Sequence, residues 1–325
     1  MLLLASCGRG SERHDDAFVA MNASVEITLV TPSAARAEAA LRAARAEVER
    51  LEALLSDYRP ESNVSRLNRR ATDMPAPETR LLMERAQRVC RETDGAFDIS
   101  LGPMKRLWGF GSDDTPHVPA PEEIASLLQH VGCEVYALAP DGRVAWLDTQ
   151  ARIDLGGIAQ GFVAACLADT FRARGIERFL INISGDILVA GERPDGGPWR
   201  VGVQNPRRPD SLLTSIPMRW AAVTTSGDYE QSFVENGVRY HHIFDPATGY
   251  PARRTTSVSV WSNDPIAADC YATALFVLGP ERGLAFVDSR PDLAALFVVE
   301  GADGGLTLRR STALDAAETV QTTPR

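Results

Sequence analysis

In the stretch "NDPIAADCYATALFVLG", Asp269 and Thr273 stand four residues apart on an apolar helical pattern. That spacing sets a carboxylate and a hydroxyl on one helix face, a turn apart. The pair suits a hard divalent cation that also takes phosphate oxygens and backbone carbonyls, although a local side-chain bond on a helix surface would use the same two residues. A second stretch, "IDLGGIAQGFVA" from Ile153 to Ala164, runs an apolar strand end through Asp154 and Gly156-Gly157 into a helix. It is neither G-x-G-x-x-G nor G-x-x-x-x-G-K-[ST]. Paired glycines let a backbone come close to a ligand, and free N–H groups at a helix start suit a phosphate. A tight turn with no ligand would need the same glycines.

Two more stretches join them. In "NISGDILVAG", Gly185-Asp186 interrupts an apolar strand, so Asp186 either caps a bulge or faces a site. In "HHIFDPATGYP", His241 and His242 precede Asp245, Thr248 and Gly249, a turn sequence, and the chain has only 5 histidines. Neighbouring residues on a strand point to opposite faces, so at most one of the two faces a common site.

The elements that must position these groups are legible from periodicity. "FVAMNASVEITLV" alternates as a strand after a polar segment, residues 8–17, that reads as a tether. Apolar residues at Leu41, Ala44, Val48, Leu51 and Leu55 predict an amphipathic helix over 33–55. Helices are also predicted over 78–92, over 122–130 behind Pro121, over 157–174, over 265–278 and over 283–288. Two short strands are expected in "RVAWLDTQARIDLGG", and a strand broken by a turn in "RFLINISGDILVAG". Further strands are expected at "WRVGVQ", "AAVTTSG", "YHHIFD", "TTSVSVWS", "LAALFVVE" and "LTLRR". Strands cluster instead of alternating strictly with helices, which points to an α+β fold.

Composition removes other classes. With 34 basic and 43 acidic residues the net charge is −9, and no basic run is interleaved with aromatics, which excludes nucleic acid as a partner. No apolar run reaches the length of a membrane span, about 18 residues. The N-terminal "LASC", Leu4 to Cys7, resembles a bacterial lipobox, in which the cysteine is lipidated. Only 6 residues precede Cys7, short of an h-region of about 7–15 residues with its basic flank, so the true start is expected upstream. Cys90, Cys133, Cys166 and Cys270 show no metal spacing and are expected to be buried thiols.

Taken in order, "DYRPESNVSRLN", "DGAFDISLGPMKRLWGFG", "DLGGIAQG", "NISGDI", "TTSGDYEQ", "HHIFDPATGYP" and "ADCYATALFVLG" resemble the ApbE-type FAD:protein FMN transferases from about Ala20 to Leu278. The resemblance implies a two-lobed, T-fold-like α+β domain over 18–325, with mixed or antiparallel sheets and flanking helices. Residues 1–17 would be a truncated lipoprotein signal and tether, placing the protein in the periplasm on a lipid anchor. It implies FAD as substrate and Mg²⁺ as the metal. FMN would pass to a threonine of a partner, a membrane redox subunit of the Nqr or Rnf type or a related periplasmic flavoprotein, with release of AMP.

Carried onto this chain, Asp269, Thr273 and the Ala159 carbonyl would hold the metal, and Met21 and Tyr58 would flank the flavin ring. A thioether and an aromatic face are good partners for such a ring. Asp98, Asp154, Gly156, Gly157, Gln160, Gly185, Asp186, Ser226, Gly227 and Thr248 fall in the stretches expected to bind the cofactor. His242 is the candidate base, with Asp228 and Asp245 as rivals. Two residues depart from the common pattern: Gln160 stands where many members carry Lys, and Ser184 where many carry Gly. They leave room for two other readings, a flavin holder that transfers nothing and an FAD pyrophosphatase.

Overall fold

The computed structural model describes residues 12–111, 115–218 and 221–319. It opens with a hairpin, β1 (Glu12–Ala20) against β2 (Ala23–Thr31), in full antiparallel register. Residues 12–17, expected as tether, therefore belong to the sheet. Their strand is polar because it lies at the sheet edge and is held by side-chain pairs: Asp15 accepts from the Thr28 hydroxyl at 2.6 Å, and Asp16 pairs with Arg45. Ser33 caps α1 (Ala34–Leu55), accepting the Arg36 amide, and α1 buries Ala37, Ala40, Ala44, Val48, Leu51 and Leu55 along one stripe.

Next come α2 (Asn63–Asn68), capped by Ser62, and α3 (Pro77–Glu92). A single 3₁₀ turn (Ile99–Leu101) leads into α4 (Gly102–Leu107), and α5 (Pro121–Leu128) follows. β3 (Tyr136–Leu138) and β4 (Val144–Trp146) form a small hairpin. The second strand expected before Gly156 does not form. The Asn68 amide bonds both the carbonyl and the N–H of Ile153 at 2.8 Å, and Arg70 bonds the Ala151 carbonyl, so side chains take the place of a neighbouring strand.

The main sheet is completed after α6 (Ala159–Arg172) by β5 (Phe179–Ile183) and β6 (Asp186–Ala190). A separate hairpin of β7 (Arg200–Asn205) and β8 (Arg208–Pro217) precedes β9 (Ala222–Gly227), and another joins β10 (Ser232–Glu235) to β11 (Val238–His241). Then come β12 (Ser257–Ser262), α7 (Pro265–Asp288), β13 (Leu293–Glu300), β14 (Leu306–Arg310) and α8 (Thr312–Thr319). The two helices expected after 265 are one element bent at Gly279 (φ 79°) before Pro280. The large sheet runs β1-β2-β5-β6-β9-β12-β13-β14, and every ladder among the described residues is antiparallel.

α7 is apolar almost all round, as a helix buried on all sides must be. It lies on β9, β12 and β13 and crosses α6, while α1 and α6 cover the β2–β5–β6 side. The β7–β8 hairpin packs on the opposite face over Trp261, Leu296 and Val298. A second, smaller core of Met104, Trp108, Phe110, Ile124 and Phe244 joins α4 and α5 to the β10–β11 region, which accounts for the two lobes.

Cys90 and Cys133 are not free thiols. They form a disulfide across 43 residues of sequence, tying the end of α3 to the loop before β3. Cys270 is a buried thiol as expected, and Cys166 is half-buried. In the chain-entropy view, a cross-link of this span (43 residues) stabilises by at most about 4 kcal/mol. Cys90→Ser should therefore lower the unfolding free energy in urea by about 2–4 kcal/mol, and a reductant should do the same to the wild-type protein but not to the variant.

Candidate functional site

A cavity of about 610 Å³ opens between the two cores, lined from both. The main body contributes Met21, Tyr58, Asp98, Asp154, Gly156, Gly157, Ala159, Gln160, Asp186, Ser226, Gly227, Asp269 and Thr273; the smaller lobe contributes Lys105, His242 and Phe244. Four sequence-expected residues are not among its walls. Asp228 is gripped by Arg207 through two bonds of 2.7 and 2.8 Å, so it is a structural anion and not a free base. Asp245 caps its own turn, accepting the Ala247 amide at 2.9 Å, and Thr248 points to that same exposed turn. Gly185 serves the β5–β6 turn at φ 103°, where its N–H is held by Asn182.

The close approach of α6 and α7 sets the acidic end. A Cβ at Gly161 would collide with the Pro265 carbonyl oxygen and lie 3.0 Å from the Asp269 Cβ, so only glycine permits this crossing. α6 has no side-chain cap from its own sequence. Asp269 supplies one from α7, accepting the Gly161 amide at 2.9 Å. The Ala159 amide is likewise used, by the Leu155 carbonyl at 2.9 Å. The helix start expected to receive a phosphate is thus occupied by protein groups. Burial pushes the Asp269 carboxyl up to about 7, although the Gly161 and Gln160 amides pull the other way. Asp186 is raised well above the carboxylate range by burial and then by Asp269.

The basic end was not foreseen. Lys105 of α4 sets its Nζ 3.6 Å from the Asp154 carboxylate, while Arg106 binds Asp57 at 2.5 Å. Burial works against charge on Asp154, yet Lys105 and the Gly156 N–H (2.7 Å) hold its carboxyl below the usual range. Asp57 is pushed up by burial and by Asp154. Burial raises Asp98 too, though its carboxylate accepts from the Ser100 N–H and hydroxyl. Glu230, also on the wall, was overlooked although it stands within the "TTSGDYEQ" stretch. The signal for Lys105 was two adjacent cations in an otherwise apolar "GPMKRLWGF".

His241 and His242 diverge as strand neighbours must. His241 is buried against Phe276, with Nε2 bonded to the Ala252 carbonyl. His242 faces the cavity, and its buried Nδ1 has no partner. Burial, then Lys105, lowers its pKa to about 4, so the ring is neutral at physiological pH.

Met21 and Asn22 form the two-residue β1–β2 turn with φ of 54° and 56°. Such turns favour Asn and Gly; a methionine in this conformation is strained and held by its surroundings. Tyr58, 45% exposed, stands on the cavity wall. Ser184 does not crowd the cavity as a bulkier residue would, since its hydroxyl turns to accept the Ser24 amide at 2.9 Å.

Gly161→Ala should destabilise the protein by about 1–3 kcal/mol, since backbone must move to admit the methyl. Flavin affinity should fall with it, as Asp269 and Gln160 shift together; thermal unfolding and a flavin titration check both.

The ApbE family model matches residues 21–297. Among curated proteins, the FAD:protein FMN transferase of Vibrio cholerae serotype O1 is 33% identical over 312 residues, covering 94% of this chain and 92% of its own. That of Klebsiella pneumoniae is 32% identical, covering 79% and 81%. Among crystal structures, the ApbE protein of Thermotoga maritima superposes with a TM-score of 0.85 at 31% identity, covering 94% of this chain and 99% of its own. The flavin transferase ApbE of Vibrio cholerae gives 0.85 at 30%, with the same coverage. A family match over most of the chain, relatives of this identity, and the shared α+β architecture agree: this chain belongs to the ApbE family.

Proposed function

We propose that the chain is an FAD:protein FMN transferase that joins the flavin-side phosphate of FAD to a threonine hydroxyl of a partner protein. The observation that carries this reading is the pair Asp186 and Asp269, buried at one end of a cavity large enough for a dinucleotide. No Lys or Arg acts on either carboxylate. Charge in such a place is costly unless a cation shares it. No cluster of three or more His, Cys, Asp or Glu occurs among the described residues. A cation here would therefore rest on these carboxylates, the Thr273 hydroxyl, the Ala159 carbonyl and substrate oxygens, an oxygen set that fits Mg²⁺. Bound Mg²⁺ would supply stabilisation of charge on the phosphate oxygens.

The protein's own groups do the rest. The Gly156-Gly157 backbone leaves room for the diphosphate, and the Met21 thioether and Tyr58 ring hold the flavin. The threonine oxygen attacks the flavin-side phosphorus, the bond to the bridging oxygen breaks, and AMP leaves with that oxygen. His242, neutral and on the cavity wall, takes the threonine proton. Its low pKa makes it a weak base, matched to a step in which the hydroxyl proton departs late.

Purified protein incubated with FAD, Mg²⁺ and a threonine-containing acceptor peptide should release AMP and flavinylate the peptide in equal amounts. AMP without flavinylated peptide would indicate a pyrophosphatase, and bound FAD with neither product a flavin holder. Asp269→Asn should abolish both products. It should also raise the melting temperature of cation-free protein. The Asp269 carboxyl is raised from the unfolded value of 3.8 to about 7, so its ionisation costs nothing below the lower pH, costs progressively more between the two, and costs a constant amount above the upper. The melting-temperature gain should grow over that window, and a gain independent of pH would show that the carboxylate is not strained by burial.

We further propose that the protein works in the periplasm on a lipid anchor at Cys7, which lies outside the described residues. The Cys90–Cys133 disulfide supports this, since such bonds persist in oxidising compartments. Nqr- or Rnf-type subunits are the proposed acceptors. In cells, Cys7→Ser should move the protein from the membrane fraction to the soluble periplasm; unchanged fractionation would reject the anchor.

A further inference from the structure

Among the described residues, two cationic side chains line the cavity, Arg59 and Lys105. Arg59 is committed to Glu52 at 3.0 Å, with nearly half its side chain in solvent. Lys105 is different. Its only ion-pair partner among the described residues is Asp154 at 3.6 Å, beyond good hydrogen-bond length. Asp154 already spends one oxygen on the Gly156 amide at 2.7 Å. The neighbouring Arg106 bonds Asp57 at 2.5 Å, so α4 presents one cation bonded at close range and one, Lys105, held by the charge of Asp154 with its N–H donors not engaged at hydrogen-bond length.

The ammonium stands over the glycine turn. A Cβ placed on Gly156 would lie 3.7 Å from Nζ, so the space in front of Lys105 is space that a side chain at 156 would fill. The start of α6 offers no comparable partner for an anion, because its Gly161 amide is held by Asp269 and Gln160 brings no charge. Elsewhere on the wall, Asp186 and Asp269 bring no positive charge to meet one. Lys105 is thus the available positive charge facing the cavity from the protein itself.

We propose that Lys105 binds the diphosphate of the dinucleotide, its ammonium closing over the phosphates from α4 while the Gly156-Gly157 turn supports them from below. The assignment rests on the reading of the cavity as an FAD site and adds to it a specific phosphate ligand on the smaller lobe. Binding on the side of that lobe would then depend on phosphate charge, and not on the flavin ring alone. A merely structural Lys105, neutralising Asp154, would matter equally for ligands with and without phosphates.

The two cases separate by titrating wild type and Lys105→Met with FAD and with riboflavin, both in Mg²⁺. Wild type should bind FAD well above riboflavin. Lys105→Met should weaken FAD by about tenfold or more, leave riboflavin within about twofold, and flatten the salt dependence of FAD binding; Lys105→Arg should recover most of the loss. Parallel losses for FAD and riboflavin, or an FAD affinity in Lys105→Met equal to wild type, would overturn the assignment. Wild type that fails to bind FAD at all would instead reject the functional reading on which it stands.

Discussion

The contact between α6 and α7 at Gly161 and Pro265 is the constraint on which the rest of the site depends. Two helices can come this close only where one has no side chain, and the packing that results lets the Asp269 carboxylate reach the first turn of α6. That single bond does two things. It satisfies an orphan amide, that of Gly161, that the sequence of α6 leaves uncapped, and it fixes a carboxylate beside the Ala159 and Gln160 backbone. Because α7 is itself clamped on β9, β12 and β13, the carboxylate has little freedom to move. Asp186, arriving at the start of β6 next to β9, then meets it from the sheet.

Electrostatically, the cavity is divided. Its wall carries carboxyls at Asp186 and Asp269 that burial drives towards protonation, and also Lys105 set against Asp154, with the Arg106–Asp57 pair behind it. The proposed ligand, a flat ring with a doubly charged diphosphate, together with a divalent cation, would answer both groups at once. Neither a neutral flavin nor a free nucleotide phosphate would satisfy the whole cavity. The neutral His242 sits within reach of the Lys105 field, and that field, after burial, keeps its proton off.

Strain is concentrated where the flavin-flanking residues are expected. Met21 in a left-handed turn and Ser184 at φ 48° are both non-glycine residues in conformations that side chains disfavour. The two turns are tied together, since the Ser184 hydroxyl accepts the Ser24 amide and the Ser184 amide donates to the Ser24 carbonyl. Ser184 in place of glycine thus adds a bond between the segments that shape one wall, with its hydroxyl turned to Ser24.

Much of this was legible in the sequence. Periodicity located α1, α3, α5 and both halves of α7 nearly to the residue, because their apolar stripes repeat with the helical period. The facing of Asp269 and Thr273, the divergence of the histidine pair and the turn at Ser184-Gly185 followed from local geometry alone. What the sequence could not hold were facts about pairs distant in the chain. Cys90 meets Cys133, Asn68 replaces a strand for Ile153, Arg207 claims Asp228, and Asp269 takes amides that would otherwise look open to a phosphate. Lys105 enters the cavity only because the smaller core folds α4 against Phe244 and turns that face inward. Local pattern depends on one element and its own backbone; which buried group spends its hydrogen bonds on which partner is decided only when the elements pack, since that choice is made by desolvation across the whole interior.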